Sequence, residues 1–551
     1  MTPRELCDEI RTVLVEVAST RPGFHLATSL GMVELAVAMD HVFDLEKDRL
    51  IFDIGHQRYP FDILARYRLD GILSAPRRSS KYDFYRHPGF AGLSISTALG
   101  ASIATPDRRT IVVMGDGGSS AGEVFEALNH LGALQQPMVI VVNENGMSIQ
   151  ETTGALRGGV QKDFFVTLGL RYLGPFDGHD VDTLLETMQR VRDEPLSRPT
   201  VIHVRTTKGK GYRPAENDPL AFHQPFYPFD VETGQPRISD GGEMGTFLAG
   251  LSMVDEWLMC EMDADPRLMA VTPSTPPLFR VAKRYPSRWL DTGICEQHCM
   301  TMSTALALDA GAVVVMFAPF VSRCYSQLID MGHANAPVKV VLFFAGVNPL
   351  GPTQQAVQVI GLLRMVPGFT VLQPSCLKEF VDALSLARRI SGPVFVLAPK
   401  HDILIGNGCP FPYENGKGMV LRSGSRVTVL PVGSVFDLAN ACAEDGEGIE
   451  IIYPRSLKPF DHDLVARSVE KTKRLLIIED GCASSGVGSD VIAHLHARGL
   501  TFRVEHVFAA DRSLHIEDDA QLRHAYGVTR EKCVVAMRAL LVEPSTSGLQ
   551  T

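Results

Sequence analysis

Apolar and polar positions along the chain fall into repeating blocks. Short runs rich in β-branched residues, at 110–114, 138–142 and 200–204, alternate with longer stretches of helical periodicity. A run that is apolar at every position, rather than at every second one, belongs to a strand covered on both faces, as in the parallel sheets of α/β proteins. The same grammar returns at 338–344, 369–372 and 394–397, and again at 427–431, 449–453 and 474–478. Two polar stretches rich in Gly and Pro, 230–245 and 406–424, separate the blocks and read as linkers. The pattern predicts an α/β protein of three domains, 1–240, 241–412 and 413–551, each a mainly parallel twisted sheet covered by helices. The tail beyond Val542 reads as frayed.

Composition narrows the picture. The 551 residues suit several domains, and 45% hydrophobic with 21% charged residues excludes a disordered or fibrous chain. A net charge of -10 and the lack of any Lys/Arg run speak against nucleic acid as a partner. The most apolar segments, 313–321 and 338–347, reach about half of the roughly 20 residues that span a bilayer, so they are expected to be buried strands and no membrane is implied. The charged N-terminus lacks the apolar core of a signal peptide, and ten Cys scattered over so long a chain form no disulfide framework; both point to the cytoplasm.

Candidate chemistry begins at Gly115-Asp116-Gly117-Gly118, which follows an apolar strand and precedes a helical stretch at 121–134. Glycines there let a ligand approach the backbone at a helix N-terminus, where anions bind well. A second strand runs into Asn143-Glu144-Asn145-Gly146-Met147, placing an amide side chain and loop carbonyls next to Asp116. One carboxylate, one amide oxygen and one carbonyl supply half an octahedral Mg²⁺ shell and leave room for phosphate oxygens. In the second block, Asp291-Thr292-Gly293-Ile294-Cys295-Glu296-Gln297-His298 carries a carboxylate to the mouth of an apolar helix, where it serves either as a helix-terminus anion or as a proton-handling group. Cys295 and Cys299, beside His298, lack the second ligand pair of a zinc site and read as buried thiols.

With these motifs in order, the chain resembles thiamine diphosphate (ThDP) enzymes of the transketolase-like branch, and within it the 1-deoxy-D-xylulose 5-phosphate synthases (DXS). The resemblance also rests on the segments containing His25 and Ser29, Asp53-Ile54-Gly55-His56-Gln57, Asp177-Gly178-His179-Asp180, Lys208-Gly209-Lys210-Gly211-Tyr212 and His223. It implies that Asp116, Asn145 and the Met147 carbonyl hold Mg²⁺, and that Ser29, Gly55, His56, Gly115, Gly117, Gly118 and Lys208 line the cofactor. It implies further that Glu296 bonds the aminopyrimidine ring nitrogen and so promotes deprotonation of the thiazolium carbon. Phe320 would stack on the pyrimidine, and His25, His56 and His223 would handle protons at the reaction centre, with His25 also touching substrate. The cofactor is expected between the first and second domains, and the family forms homodimers.

The acceptor side departs from the family pattern. A phosphate-binding Arg becomes Phe344, a Tyr becomes Phe317, an Asp and a His become Leu350 and Gln354, a second Arg becomes Lys400, and a Gly-His-Ser-Ser turn reads Gly89-Phe90-Ala91-Gly92. With Arg323, the positions Phe344, Gln354 and Lys400 are the expected substrate contacts. Losing an Arg contact to a dianion costs about 1.5–3 kcal/mol. The expectation is therefore a carboligase that decarboxylates a 2-oxo acid, pyruvate first, and adds the two-carbon unit to an aldehyde other than glyceraldehyde 3-phosphate. An authentic DXS, a transketolase-type ketol transferase and an inactive ThDP-binding paralogue are the alternatives.

Overall fold

In a computed structural model the chain is described at residues 1–45, 47–70, 89–158, 162–195, 197–237, 242–274, 278–348, 353–400, 412–484, 486–514 and 518–542. It forms two compact units, one of 1–240 with 292–295 and one of 241–291 with 296–551.

The first unit is built on a five-stranded, all-parallel sheet of β1 (Arg49–Phe52), β2 (Thr110–Gly115), β3 (Val139–Glu144), β4 (Arg171–Asp177) and β5 (Thr200–Arg205), in the order β1-β2-β3-β5-β4. β2 and β3 are buried along nearly their whole length, as uninterrupted apolar runs require when helices cover both faces. The chain enters through a helix at Pro3–Thr20 whose start is set by a capping box: the Thr2 hydroxyl accepts from Glu5 N–H while the Glu5 carboxylate accepts from Thr2 N–H.

The second unit carries two sheets. One contains β6 (Met269–Thr272), β7 (Trp289–Asp291), β8 (Ala312–Phe317), β9 (Lys339–Phe343), β10 (Thr370–Leu372) and β11 (Val394–Leu397). The other contains β12 (Met419–Arg422), β13 (Val427–Val432), β14 (Ile449–Tyr453), β16 (Arg474–Cys482) and β17 (Arg503–Ala509), while β15 (Ser456–Lys458) crosses back to the first. The orders are β15-β10-β11-β9-β8-β6-β7 and β12-β14-β13-β16-β17, and only β15 and β12 run antiparallel to their neighbours. The mainly parallel α/β architecture anticipated from apolar patterning is present in all three sheets.

Local differences have plain causes. The apolar segment 313–321 is strand only as far as Phe317, because Pro319 cannot donate to a ladder and the chain turns into a 3-10 helix at Ala318–Cys324. The segment 338–347 likewise ends its strand at Phe343, and Phe344 and Gly346 then take positive φ values of 62° and 91°. The stretch 406–424 is not wholly linker: β12 pairs with β14 there, alternating half-buried and exposed positions as an edge strand does. The seam expected near residue 412 is crossed by β15, which lies beyond it in sequence and pairs with β10. Among the described residues no helix is long and apolar enough to cross a membrane.

Candidate active site

In the first unit, parallel pairing sets Gly115 opposite Asn143, so the loops after β2 and β3 leave the same sheet edge side by side. Asp116 opens the loop after β2 and is 5% exposed. Its Oδ2 accepts from the N–H groups of Gly146 (2.6 Å) and Asn145 (3.1 Å), and its Oδ1 accepts from Gly117 N–H. Burial nevertheless raises its pKa, with these backbone bonds working in the other direction. Asn145 turns its side-chain oxygen onto the Met147 N–H, which tightens the loop that also presents the Met147 carbonyl.

The glycines here serve close backbone approach more than open ligand access. A Cβ on Gly117 would lie 2.5 Å from the Ser148 Cβ, and one on Gly118 only 2.0 Å from an Asp53 oxygen. Asp53, at the end of β1, accepts from Gly92 and Ser94 N–H and so ties a third loop to the same edge. Cys295 belongs to this unit as well, its thiol 3.2 Å from the Ser120 carbonyl.

His25, His56 and His223 do converge. The first two rings stack with centroids 4.2 Å apart, and His223 meets them edge-on at 5.1 and 6.0 Å. Burial, with Lys208 adding to it, lowers His25 to about 4; His56 and His223 also fall well below the usual imidazole range, again chiefly through burial. All three are neutral at pH 7, which is what lets two imidazoles stack. Lys208 is 3% exposed and donates to the carbonyls of Ser148 (2.6 Å) and Ile149 (3.2 Å); burial lowers it to about 8 against the pull of Asp116. It thus clamps the loop after Asn145.

Ser29 uses its hydroxyl proton within the protein. Its hydroxyl donates to the carbonyl of His25 at 2.6 Å and contacts that of His56 at 3.4 Å, joining the backbones that carry two of the histidines. Gly55 begins the 3-10 turn Gly55–Arg58 from which His56 projects.

In the second unit Glu296 is the first residue of the helix Glu296–Asp309 and is 3% exposed. Burial raises its pKa, and the Arg323 guanidinium, Nε 3.3 Å from Oε2, opposes that rise. Among the described residues Oε2 has no hydrogen-bond partner of good geometry. Phe320 and Arg323 come from the 3-10 turn after β8, which sets the aromatic ring and the cation on one short element.

The altered acceptor positions make different contacts. Phe344 packs edge-on against Phe317 at 5.1 Å and tilted against Phe247 at 4.8 Å, forming an aromatic cluster at the ends of β8 and β9. Lys400 is 7% exposed and donates to the Val347 carbonyl and to Asp519 Oδ1 at 2.9 Å. Arg323 is paired with Glu296, and Gln354 is half-buried. Leu350 lies outside the described residues. The Asp53 tie, the Lys208 clamp and the Ser29 staple escaped the motif analysis. Their motifs were visible, but which backbone atoms they bind depends on loops distant in sequence.

Comparison with known proteins bears on this geometry. Residues 2–162 and 156–206 match the family model described as 1-deoxy-D-xylulose-5-phosphate synthase. Residues 249–404 match the transketolase pyrimidine binding domain, and 416–533 the transketolase C-terminal domain. The 1-deoxy-D-xylulose-5-phosphate synthase of Alkalilimnicola ehrlichii is 34% identical over 95% of this chain and 92% of its own length. That of Thioalkalivibrio sulfidiphilus is 33% identical over 98% and 93%. The chain belongs to the DXS family. Its members are ThDP-dependent transferases, and their order of matched regions spans both units of this DXS-family chain. Among solved structures, the transketolase from Leishmania mexicana matches with 16% identity and a TM-score of 0.43, over 98% of this chain and 97% of that one.

Proposed function

We propose that this DXS-family chain is a ThDP- and Mg²⁺-dependent carboligase. It decarboxylates a 2-oxo acid, pyruvate first, and passes the two-carbon unit to an aldehyde acceptor other than glyceraldehyde 3-phosphate. The observation that carries the assignment is Glu296, a buried carboxyl at a helix start whose Oε2 is ion-paired with Arg323 but has no hydrogen-bond partner among the described residues. A buried acceptor left in that state costs about 1–3 kcal/mol, which a ring nitrogen of the coenzyme would offset. When bound, the coenzyme supplies the electron sink for decarboxylation and carbon–carbon bond formation.

The residues near Asp116 fit a hard divalent cation: a buried carboxylate whose Oδ1 takes one backbone donor, an amide oxygen on Asn145, and the Met147 carbonyl. In this proposal those three hold Mg²⁺, and the Gly115–Gly118 turn, Gly55 and Lys208 face the diphosphate. Glu296 holds and returns a proton at the pyrimidine nitrogen, and Phe320 supports that ring. The neutral imidazoles of His25, His56 and His223 accept or relay the proton at the substrate oxygen. The altered acceptor is supported by the replacement of a family guanidinium with Phe344, seated among Phe317 and Phe247, and by the neutralisation of Lys400 through Asp519.

The authentic DXS reaction is the second reading, favoured by the near full-length match to DXS relatives. Calorimetry with ThDP and Mg²⁺, followed by mass spectrometry of products from labelled pyruvate, tests both. Coenzyme binding and CO₂ release without efficient deoxyxylulose phosphate formation are expected; efficient formation from glyceraldehyde 3-phosphate establishes the second reading instead. A homodimer is part of the proposal, and sedimentation velocity is its check.

A further inference from the structure

The turn Asp177-Gly178-His179-Asp180 joins the edge strand β4 to the helix Val181–Asp193, and each of its residues has a separate task. Asp177 Oδ1 accepts from the His179 N–H at 2.8 Å and closes the turn, while the Asp180 carboxylate accepts from the Thr183 N–H and starts the helix. Gly178 donates its N–H to the Arg205 carbonyl at 2.7 Å; a Cβ there would stand 2.8 Å from that oxygen and strike the Thr206 methyl. The turn is thereby pressed against the end of β5, where the chain runs on towards Lys208.

His179 uses this closeness. Its Nε2 lies 2.7 Å from the Thr207 nitrogen, and its Nδ1 lies 3.1 Å from Glu34 Oε2. A backbone N–H can only donate, so Nε2 is the acceptor and the ring proton sits on Nδ1, facing Glu34. Glu34, second residue of the helix Val33–Val42, is 6% exposed. Burial pushes its pKa up, but His179 and Arg11 together outweigh burial and hold it below the usual carboxylate value. Its other oxygen is paired with the Arg11 guanidinium. Arg11, from the helix Pro3–Thr20, also donates from Nε to the Lys210 carbonyl at 3.1 Å.

One carboxylate therefore holds both flanks of Lys208: Thr207 through His179, and Lys210 through Arg11. Between them Gly209 donates to the Ala27 carbonyl at 2.8 Å. Gly211, at φ 81°, lets Arg11 pass, since a Cβ on it would lie 2.6 Å from the Arg11 Cδ. From this segment Lys208 reaches the carbonyls of Ser148 and Ile149, in the loop that follows Asn145. Lysine has a flexible four-carbon stem, so an ammonium lodged on two carbonyls needs a backbone that does not drift.

We propose that Glu34, with His179 and Arg11 as its two arms, is a positioning group for coenzyme binding: it sets the segment 206–211 so that Lys208 can hold the loop after Asn145. The assignment rests on the ThDP- and Mg²⁺-dependent reading and goes beyond it, since none of the three residues is placed at the coenzyme. The polarity is specific: position 179 must accept from Thr207 and donate to Glu34.

The test runs on the full chain. Calorimetry of the parent with ThDP at saturating Mg²⁺ comes first; absence of binding overturns the coenzyme reading and this assignment with it. With binding in place, His179→Leu and Glu34→Gln are expected to raise the ThDP Kd about 10–100-fold, the usual range for groups behind a ligand shell, while kcat for CO₂ release at saturating coenzyme falls about twofold or less. His179→Gln, whose amide oxygen can take the Thr207 N–H and whose amide N–H can face Glu34, should bring Kd back to within about threefold of the parent. Acetylation of Lys208 by acetic anhydride, read by mass spectrometry without coenzyme, is independent of activity. Labelling should speed up about threefold or more in His179→Leu and Glu34→Gln, with Lys339, buried in the second unit, as the unchanged internal standard. Arg11→Lys keeps a charge beside Glu34 but loses the Nε bond to Lys210; it should raise Kd about threefold to tenfold and decides the matter if the other variants do not fold. Folded variants that bind ThDP with the parent Kd, or that lose affinity with no change at Lys208, overturn the positioning role while leaving the coenzyme reading intact. Equal loss in His179→Leu and His179→Gln overturns it too.

Discussion

Replacing Glu296 with Gln separates its chemical role from its structural one. Gln keeps the size and one oxygen of the carboxyl but cannot hold and return a proton. General acid–base catalysis is typically worth 10²–10⁴-fold, so turnover should fall by that factor, or about 3–5.5 kcal/mol of barrier at 1.36 kcal/mol per decade. The structural cost is smaller and has two opposing parts. The buried charge that raises the Glu296 pKa disappears, which favours the variant, while Arg323, with 8% of its side chain exposed, loses its counter-ion. Full loss of one partner of a buried pair costs about 3–5 kcal/mol, and the retained amide oxygen should hold the net effect below that. Coenzyme affinity should change by tenfold or less, since one hydrogen bond is weakened rather than removed. Arg323→Met is the companion: without the guanidinium, the Glu296 pKa should climb further and the alkaline side of activity should shift with it. CO₂ release, coenzyme calorimetry and circular dichroism measure the three effects. A folded, coenzyme-binding Glu296→Gln protein with more than a tenth of the parent turnover would refute the role assigned to this carboxyl.

Asp116→Asn should abolish Mg²⁺-dependent coenzyme binding in calorimetry and lower stability by about 1–3 kcal/mol, because an amide N–H would face the Asn145 and Gly146 donors. Gly118→Ala should weaken both folding and coenzyme affinity, since its Cβ would displace Asp53 from Gly92 and Ser94, whereas Gly100→Ala, in the helix Ser94–Ala104, where an added Cβ meets nothing within 4 Å beyond its own helix among the described residues, should be neutral or stabilising by up to about 1 kcal/mol. Denaturant titrations compare the two. The histidine cluster has a definite pH signature: with folded pKa values below the unfolded value of 6.5, and His25 at about 4, the unfolded chain binds more protons between those limits, so stability falls as pH drops from 6.5 toward 4. Asp480 acts in the opposite sense, because burial raises it from 3.8 to about 6 and its contribution is lost as pH rises through that window. Urea melts from pH 4 to 8 on His25→Asn and Asp480→Asn against the parent resolve the two, and imidazole ¹⁵N shifts at pH 6 should report three neutral rings.

Uninterrupted β-branched runs can only be strands sheltered on both sides, so the central strands and the parallel α/β class followed from local pattern alone. Motif residues were legible for the same local reason: Gly115-Asp116-Gly117 and Asn145 sit at strand ends, and Glu296 at a helix start, each readable from a few neighbours in sequence. Strands β1, β4 and β12 were not: β1 is a run of only four residues, and β4 and β12 are half-exposed, so their pairing depends on partners far along the chain. What three-dimensional packing alone decided is what each side chain does with its hydrogen bonds. Ser29 joins two histidine backbones, Lys400 is neutralised by Asp519 rather than waiting for an anion, and His179 links Glu34 to the Thr207 N–H. A hydrogen bond depends on distances of a few tenths of an ångström between residues that chain order places 119 positions apart, as with Lys400 and Asp519. No pattern of neighbours along the chain encodes such a distance; the packed sheets do.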